Sequence, residues 1–139
     1  MNCSLSVYAD RVNGKVGYVI MSDGRIVSEK IGRFKGNNIK ENVLQYVFLG
    51  LKDCRSRVHH EDILTVGVQN IHLYQWLNGM MEYKDYSTYL DKVFGVLELL
   101  DCKYRFYFSK NLYMKSYIQD RDLTGIKVST VDDMMRDFE

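Results

Sequence analysis

At 139 residues, 46% of them hydrophobic and 27% charged, the chain has the size and mix of one globular domain and is too apolar for a disordered tail. It contains no run of about 18 apolar residues, so no membrane span is expected. It enters a strand pattern at once, without a basic-then-apolar leader, so no signal peptide is expected and a cytoplasmic location is. With a formal net charge of +1, any nucleic acid would have to be held by a local basic patch. Arg55 and Arg57 with His59 and His60 make one small basic group, Arg105, Lys110 and Lys115 a more diffuse one, and neither is strong.

Residues 4–8 alternate apolar and polar side chains, the mark of a strand with one buried face. Asn13-Gly14 follows, a turn dipeptide because both residues tolerate positive φ. Residues 15–21 read as a second strand, Asp23-Gly24 as a second turn, and residues 26–34 as a third strand, which together make an antiparallel meander. Gly36-Asn37-Asn38 breaks the pattern, and from Ile39 the period becomes helical, with Val43, Val47, Leu51 and Cys54 on one side and Leu44 and Phe48 beside them. Asn38 is suited to cap that helix.

Residues 63–68 carry no charge and read as a strand buried on both faces, as in the parallel part of a sheet. A short helix is expected over 71–77 and ends near Asn78-Gly79. A longer one is expected over 87–100, with Leu90, Val93, Phe94, Leu97 and Leu100 on its apolar face. Residues 104–108 read as a fifth strand, and 111–119 as a last helix. There is no proline, repeat or low-complexity segment, so residues 1–139 are expected to form one domain, with a core over about 4–118 and a C-terminal extension over about 119–139. The fold class is α/β, a five-stranded mixed sheet with three antiparallel strands and then two parallel ones, flanked by helices.

Three cysteines, Cys3, Cys54 and Cys102, are an odd number without CxxC or Cys/His spacing, so they are expected as reduced, largely buried thiols. His59, His60 and His72 have neither a nearby candidate nucleophile nor metal-ligand spacing and are expected as surface or satisfied histidines.

The element order, with the residues at its junctions, resembles the ribonuclease H family over roughly residues 4–118. Val7-Tyr8-Ala9-Asp10, then Asn13-Gly14 and Gly17-Tyr18, look like the family's first strand ending in an aspartate and its Gly-Tyr second strand. Asn37-Asn38-Ile39-Lys40-Glu41, leading through Leu49-Gly50-Leu51-Lys52, is similar to the family's Asn-Asn-x-x-Glu helix start. Residues 64–70, followed by Leu77, stand where the family has a strand ending in an aspartate and then a helix. The resemblance implies a nuclease site that holds two divalent ions on four carboxylates and cuts RNA paired to DNA. Two ions about 4 Å apart activate the water and stabilise the leaving oxygen.

Only two of the four positions match. Asp10 and Glu41 are carboxylates; the resemblance aligns Gln69 with the third position and Lys115 with the fourth, or Ser116 if the register shifts by one. Gln69 keeps a carbonyl oxygen but brings no charge, and Lys115 brings a positive charge that can neutralise Asp10 and Glu41 in place of an ion. Such a site is expected to bind Mg²⁺ or Mn²⁺ weakly or not at all. Each carboxylate also has a structural use. Asp10 can cap the turn before Asn13-Gly14, and Glu41, three residues after Asn38, suits a capping box.

Aromatic residues concentrate between the fourth strand and the longer helix, where Tyr74, Trp76, Tyr83, Tyr86 and Tyr89 can stack bases, anchor a protein interface or simply pack on the domain. The tail over 131–139 mixes acidic and apolar residues. The leading expectation is a ribonuclease H-like protein with a degenerate site that works by binding a structured nucleic acid (RNA, DNA or an RNA–DNA hybrid) or a protein. One alternative is a weak nuclease with a single Mg²⁺ or Mn²⁺ on Asp10 and Glu41. Another is an accessory factor of a virus or mobile element that uses the fold as an interaction scaffold.

Overall fold

The computed structural model describes residues 2–79 and 86–108. Alternation seats the first strand. In β1 (Asn2–Asp10) Cys3, Leu5, Val7 and Ala9 are buried, while Ser4, Ser6 and Tyr8 on the other face are half-buried. β2 (Lys15–Ser22) pairs antiparallel with β1 from Cys3↔Ser22 to Asp10↔Lys15, and β3 (Arg25–Arg33) pairs antiparallel with β2. The turn between β2 and β3 has positive φ at both Asp23 (51°) and Gly24 (81°), as a tight hairpin that follows the strand twist requires.

Helix α1 (Ile39–Arg55) lays Val43, Leu44, Val47, Phe48, Leu51 and Cys54 into the core, packing on β1, β2 and the later helix α3 (Ser87–Leu99). It approaches β1 so closely that a Cβ at Gly50 would stand 2.5 Å from Leu5 Cδ1. Burial of each such aliphatic side chain contributes about 1.5–3 kcal/mol, which outweighs the weak helix propensity of the β-branched valines. At its C-terminal half Asp53 accepts hydrogen bonds from Tyr18 on β2 (2.8 Å), Ser28 on β3 (2.5 Å) and the Arg57 guanidinium (2.8 Å). This ties the helix to the meander.

β4 (Ile63–Val68) pairs parallel with β1, and β5 (Lys103–Phe108) parallel with β4, giving the order β3-β2-β1-β4-β5. β4 is less covered than its uncharged sequence implies: Leu64 and Val66–Val68 are buried, but Ile63 is exposed and Thr65 half-buried. The short α2 (Ile71–Leu77) is capped by Asn70, whose Oδ1 accepts from the amides of His72 and Leu73. In α3 Leu90, Val93, Val96 and Leu97 are buried, and Phe94 and Leu100 pack at the edge of the core.

Cys3 of β1 and Cys54 of α1 meet as hydrogen-bonded thiols. Both are buried and Cys102 is partly so; all three are free. His59, His60 and His72 are exposed as expected. The predicted helix over 111–119, the 119–139 extension, Tyr83, Lys110, Lys115 and Ser116 lie outside the described residues. Among the described residues no helix is long and apolar enough to cross a membrane.

Candidate nucleic-acid interface at the end of the central strand

β1 and β4 run parallel, so their C-terminal ends lie at the same edge of the sheet, the usual place for a site in an open α/β sheet. The N-termini of α1 and α2 face that edge too, because each helix follows a strand that ends there. This brings Asp10, Asn38, Glu41, Gln69 and Asn70 to one end of the molecule, as their junction positions imply.

The backbone pairing of β1 with β4 stops at Ser6↔Gly67. Beyond it, the Gln69 side chain continues the ladder. Its Oε1 accepts from the Ala9 amide at 2.5 Å and its Nε2 donates to the Ala9 carbonyl at 3.0 Å. The orientation is forced, since an N–H must meet the oxygen and a C=O must meet the nitrogen. A side-chain amide offers one acceptor and one donor, the complement of a backbone residue, whereas a carboxylate offers only acceptors. The expected spare carbonyl oxygen of Gln69 is therefore committed to the β1 backbone.

Asp10 is buried and engaged in the turn that follows it. Oδ1 accepts from the Asn13 amide at 3.1 Å and Oδ2 from Asn13 Nδ2 at 2.7 Å, an Asx-type turn that fixes the β1–β2 hairpin. Glu41 is half-buried in the first turn of α1, where its backbone amide donates to Asn38 Oδ1 at 3.2 Å. A carboxylate there also meets the positive end of the helix. Asn42, 1% exposed, holds the approach to α1: Oδ1 accepts from the Lys35 amide, and Nδ2 donates to the carbonyls of Lys35 and Asn38, both at 2.8 Å.

Two clefts open at this edge. One, of about 300 Å³, is lined by Tyr8, Ala9, Asp10, Arg11, Val12, Asn13, Ile39 and Gln69. Burial, and secondarily the Asp10 charge, raises the Tyr8 phenol above its ordinary pKa, so it stays protonated. The other, of about 440 Å³, is lined by Arg11, Asn37, Asn38, Ile39, Lys40, Asn70 and Tyr86. Arg11 belongs to both, and its Nη1 donates to the Asn37 carbonyl at 3.4 Å.

Trp76 and Tyr86 form a ring pair with centroids 5.5 Å apart beside this second cleft, with Lys40 Nζ 5.2 Å from the Trp76 centroid and 6.0 Å from that of Tyr86. Tyr86 is fixed further by a 2.7 Å bond from Asn38 Nδ2 to its hydroxyl. All four of Tyr74, Trp76, Tyr86 and Tyr89 also pack against the edge of the core. Arg11, Lys40, Asn42 and Asn70 do not stand out in the sequence. The position of Arg11 directly after the aspartate that ends β1 was the available signal.

No family model and no curated protein sequence matches the chain. Solved structures match its fold. Ribonuclease H1 from the halophilic archaeon Halobacterium salinarum NRC-1 superposes with a TM-score of 0.67 at 16% identity, over 83% of this chain and 90% of that one. The N-terminal ribonuclease H domain of rv2228c from Mycobacterium tuberculosis gives 0.67 at 11% identity, over 84% and 92%. LC11-ribonuclease H1, solved in complex with an RNA/DNA hybrid, gives 0.64 at 12% identity, over 96% and 98%.

Proposed function

We propose that this ribonuclease H-like protein binds structured nucleic acid at the C-terminal edge of β1 and β4 and lacks the standard two-metal nuclease activity. The observation that carries the reading is the double hydrogen bond between Gln69 and Ala9. A pair of divalent ions needs several anionic oxygens turned toward a common point. Here the third position presents a neutral amide turned to the backbone, and both Asp10 oxygens already accept bonds from Asn13. Glu41 alone does not hold two ions, and among the described residues no group of three or more His, Cys, Asp or Glu side chains is placed to hold one. Among the described residues the donor set does not fit the family's metal pair.

Binding is supported by the larger cleft, which joins two cations, three amides and an aromatic ring. It is the local basic patch that a chain of net charge +1 needs to hold phosphates. That LC11-ribonuclease H1 is solved with an RNA/DNA hybrid makes such a hybrid the first ligand to test. Calorimetric titration of the protein with Mg²⁺ and Mn²⁺, alone and with hybrid present, tests the reading. The expected result is hybrid binding with no stoichiometric heat from either ion.

The retention of Asp10 and Glu41 favours a second reading, a weak single-metal nuclease whose shell is completed by phosphate oxygens. It predicts cleavage favoured by Mn²⁺ and lost in Asp10→Asn. A protein partner on Trp76 and Tyr86 is the third outcome, recognised by failure of every nucleic acid to bind.

A further inference from the structure

We infer that Arg11 supplies the positive charge for a backbone phosphate at this edge, so that nucleic acid is held without a divalent ion. The inference rests on the reading of the cleft as a nucleic-acid site. Arg11 follows the last residue of β1, and with Ile39 it is shared by both clefts, so its side chain stands where they meet. Its Nη1 contact with the Asn37 carbonyl, at 3.4 Å, sits at the long end of hydrogen bonding and uses one of five N–H donors. That contact holds the guanidinium beside Asn37 in the larger cleft while most of its donors are left for a ligand.

The charge around it is segregated. The 440 Å³ cleft is lined by Arg11 and Lys40 and by no acidic side chain among the described residues. Lys40 is drawn over the Trp76 and Tyr86 rings, which leaves Arg11 as the other cation lining this cleft. A planar guanidinium matches two phosphate oxygens at once, sheds water more readily than an ammonium, and is charged at every working pH. The nearest carboxylate in the adjoining cleft, Asp10, is bonded to Asn13. The ligand class is therefore a phosphodiester of a nucleic-acid backbone. The neutralising charge that a metal ion would bring comes from the protein and is insensitive to a chelator.

The test is fluorescence anisotropy of a labelled RNA–DNA hybrid, titrated with the full chain at several salt concentrations, in EDTA and again in Mg²⁺. Affinities within about twofold in the two buffers are expected. Arg11→Ala is expected to weaken binding roughly tenfold and to lower the slope of log K against log salt by about 0.9, with Arg11→Lys keeping the slope. Arg11 is exposed beside the hairpin turn, and Arg11→Gln, which keeps donors without charge, gives the same slope change if the alanine variant melts early. Binding that requires Mg²⁺, or an unchanged slope in both Arg11→Ala and Arg11→Gln, overturns the inference. Binding by the wild type with unaffected Arg11 variants removes this inference alone. No binding by the wild type removes it together with the proposed function.

Discussion

The side-chain amide of Gln69 pairs with both backbone groups of Ala9, sixty residues earlier, and so extends the parallel β1–β4 ladder past its last backbone rung. The sequence resemblance puts Gln69 at the position of a family carboxylate, and in the structure its side chain is part of the sheet. Gln69→Glu keeps size but turns an acceptor toward the Ala9 carbonyl. It is expected to destabilise the fold by about 1–3 kcal/mol, the cost of leaving a partly buried polar group unpaired. Urea unfolding measures the loss. A variant as stable as the wild type would show that the pairing contributes nothing.

Asp10 gives a second stability prediction. Its carboxylate accepts two bonds from Asn13. Bonds to charged groups contribute about 1.5–3 kcal/mol, so Asp10→Ala is expected to lower stability by an amount in that range. The loss should be the same in EDTA and in Mg²⁺. A ligand held apart from its partner carboxylates would behave oppositely, since its removal relieves repulsion and stabilises the apo protein.

How far these features were legible depends on their range in the chain. The meander, the two turn dipeptides, the Asn38 cap and the helical period of Val43, Val47 and Leu51 are local patterns, and each formed where the sequence put it. The hairpin role of Asp10 was also visible, because its partner Asn13 is three residues away. Gln69 was not, because nothing near it in sequence says that it will face an unpaired stretch of β1. Asn70 was missed although its partners, the amides of His72 and Leu73, lie only two and three residues on, and Asn42 was missed because its bonds to the Lys35 backbone depend on the path of the loop into α1. Arg11 was not singled out in the sequence, and only the fold shows that it lines both clefts. The buried-on-both-faces reading of β4 failed at Ile63 and Thr65, where absence of charge does not specify cover.

The Asp53 network predicts a pH dependence. Burial alone would raise the Asp53 carboxyl, but hydrogen bonds from Ser28, Arg57 and Tyr18 together outweigh it and hold the group below its ordinary 3.8. A carboxyl depressed in the folded state contributes stability that is present above the unfolded pKa and lost as pH falls through the folded value. The urea midpoint of the wild type should therefore fall as pH drops below about 4. In Asp53→Asn that part of the pH dependence should vanish. An unchanged acid limb in the variant would place the titrating group elsewhere.

Trp76 is the single tryptophan of the chain, and it packs on Tyr86 and Lys40, which line the larger cleft, so its fluorescence reports on that side of the cleft. Lys40→Ala removes the ammonium above its ring and is expected to change the emission intensity of the free protein. Bound nucleic acid is expected to quench Trp76 by stacking. Trp76→Ala should weaken binding by about 1–3 kcal/mol, as for loss of one stacked base. Binding without any change in emission would take Trp76 out of the interface.

The most direct measurement follows one labelled RNA–DNA hybrid through binding and cleavage in the same sample, in EDTA, Mg²⁺ and Mn²⁺. The account predicts a shifted hybrid that stays intact in all three. Divalent-dependent cleavage by the wild type that disappears in Asp10→Asn would contradict it, and would return Asp10 and Glu41 to the role of metal ligands.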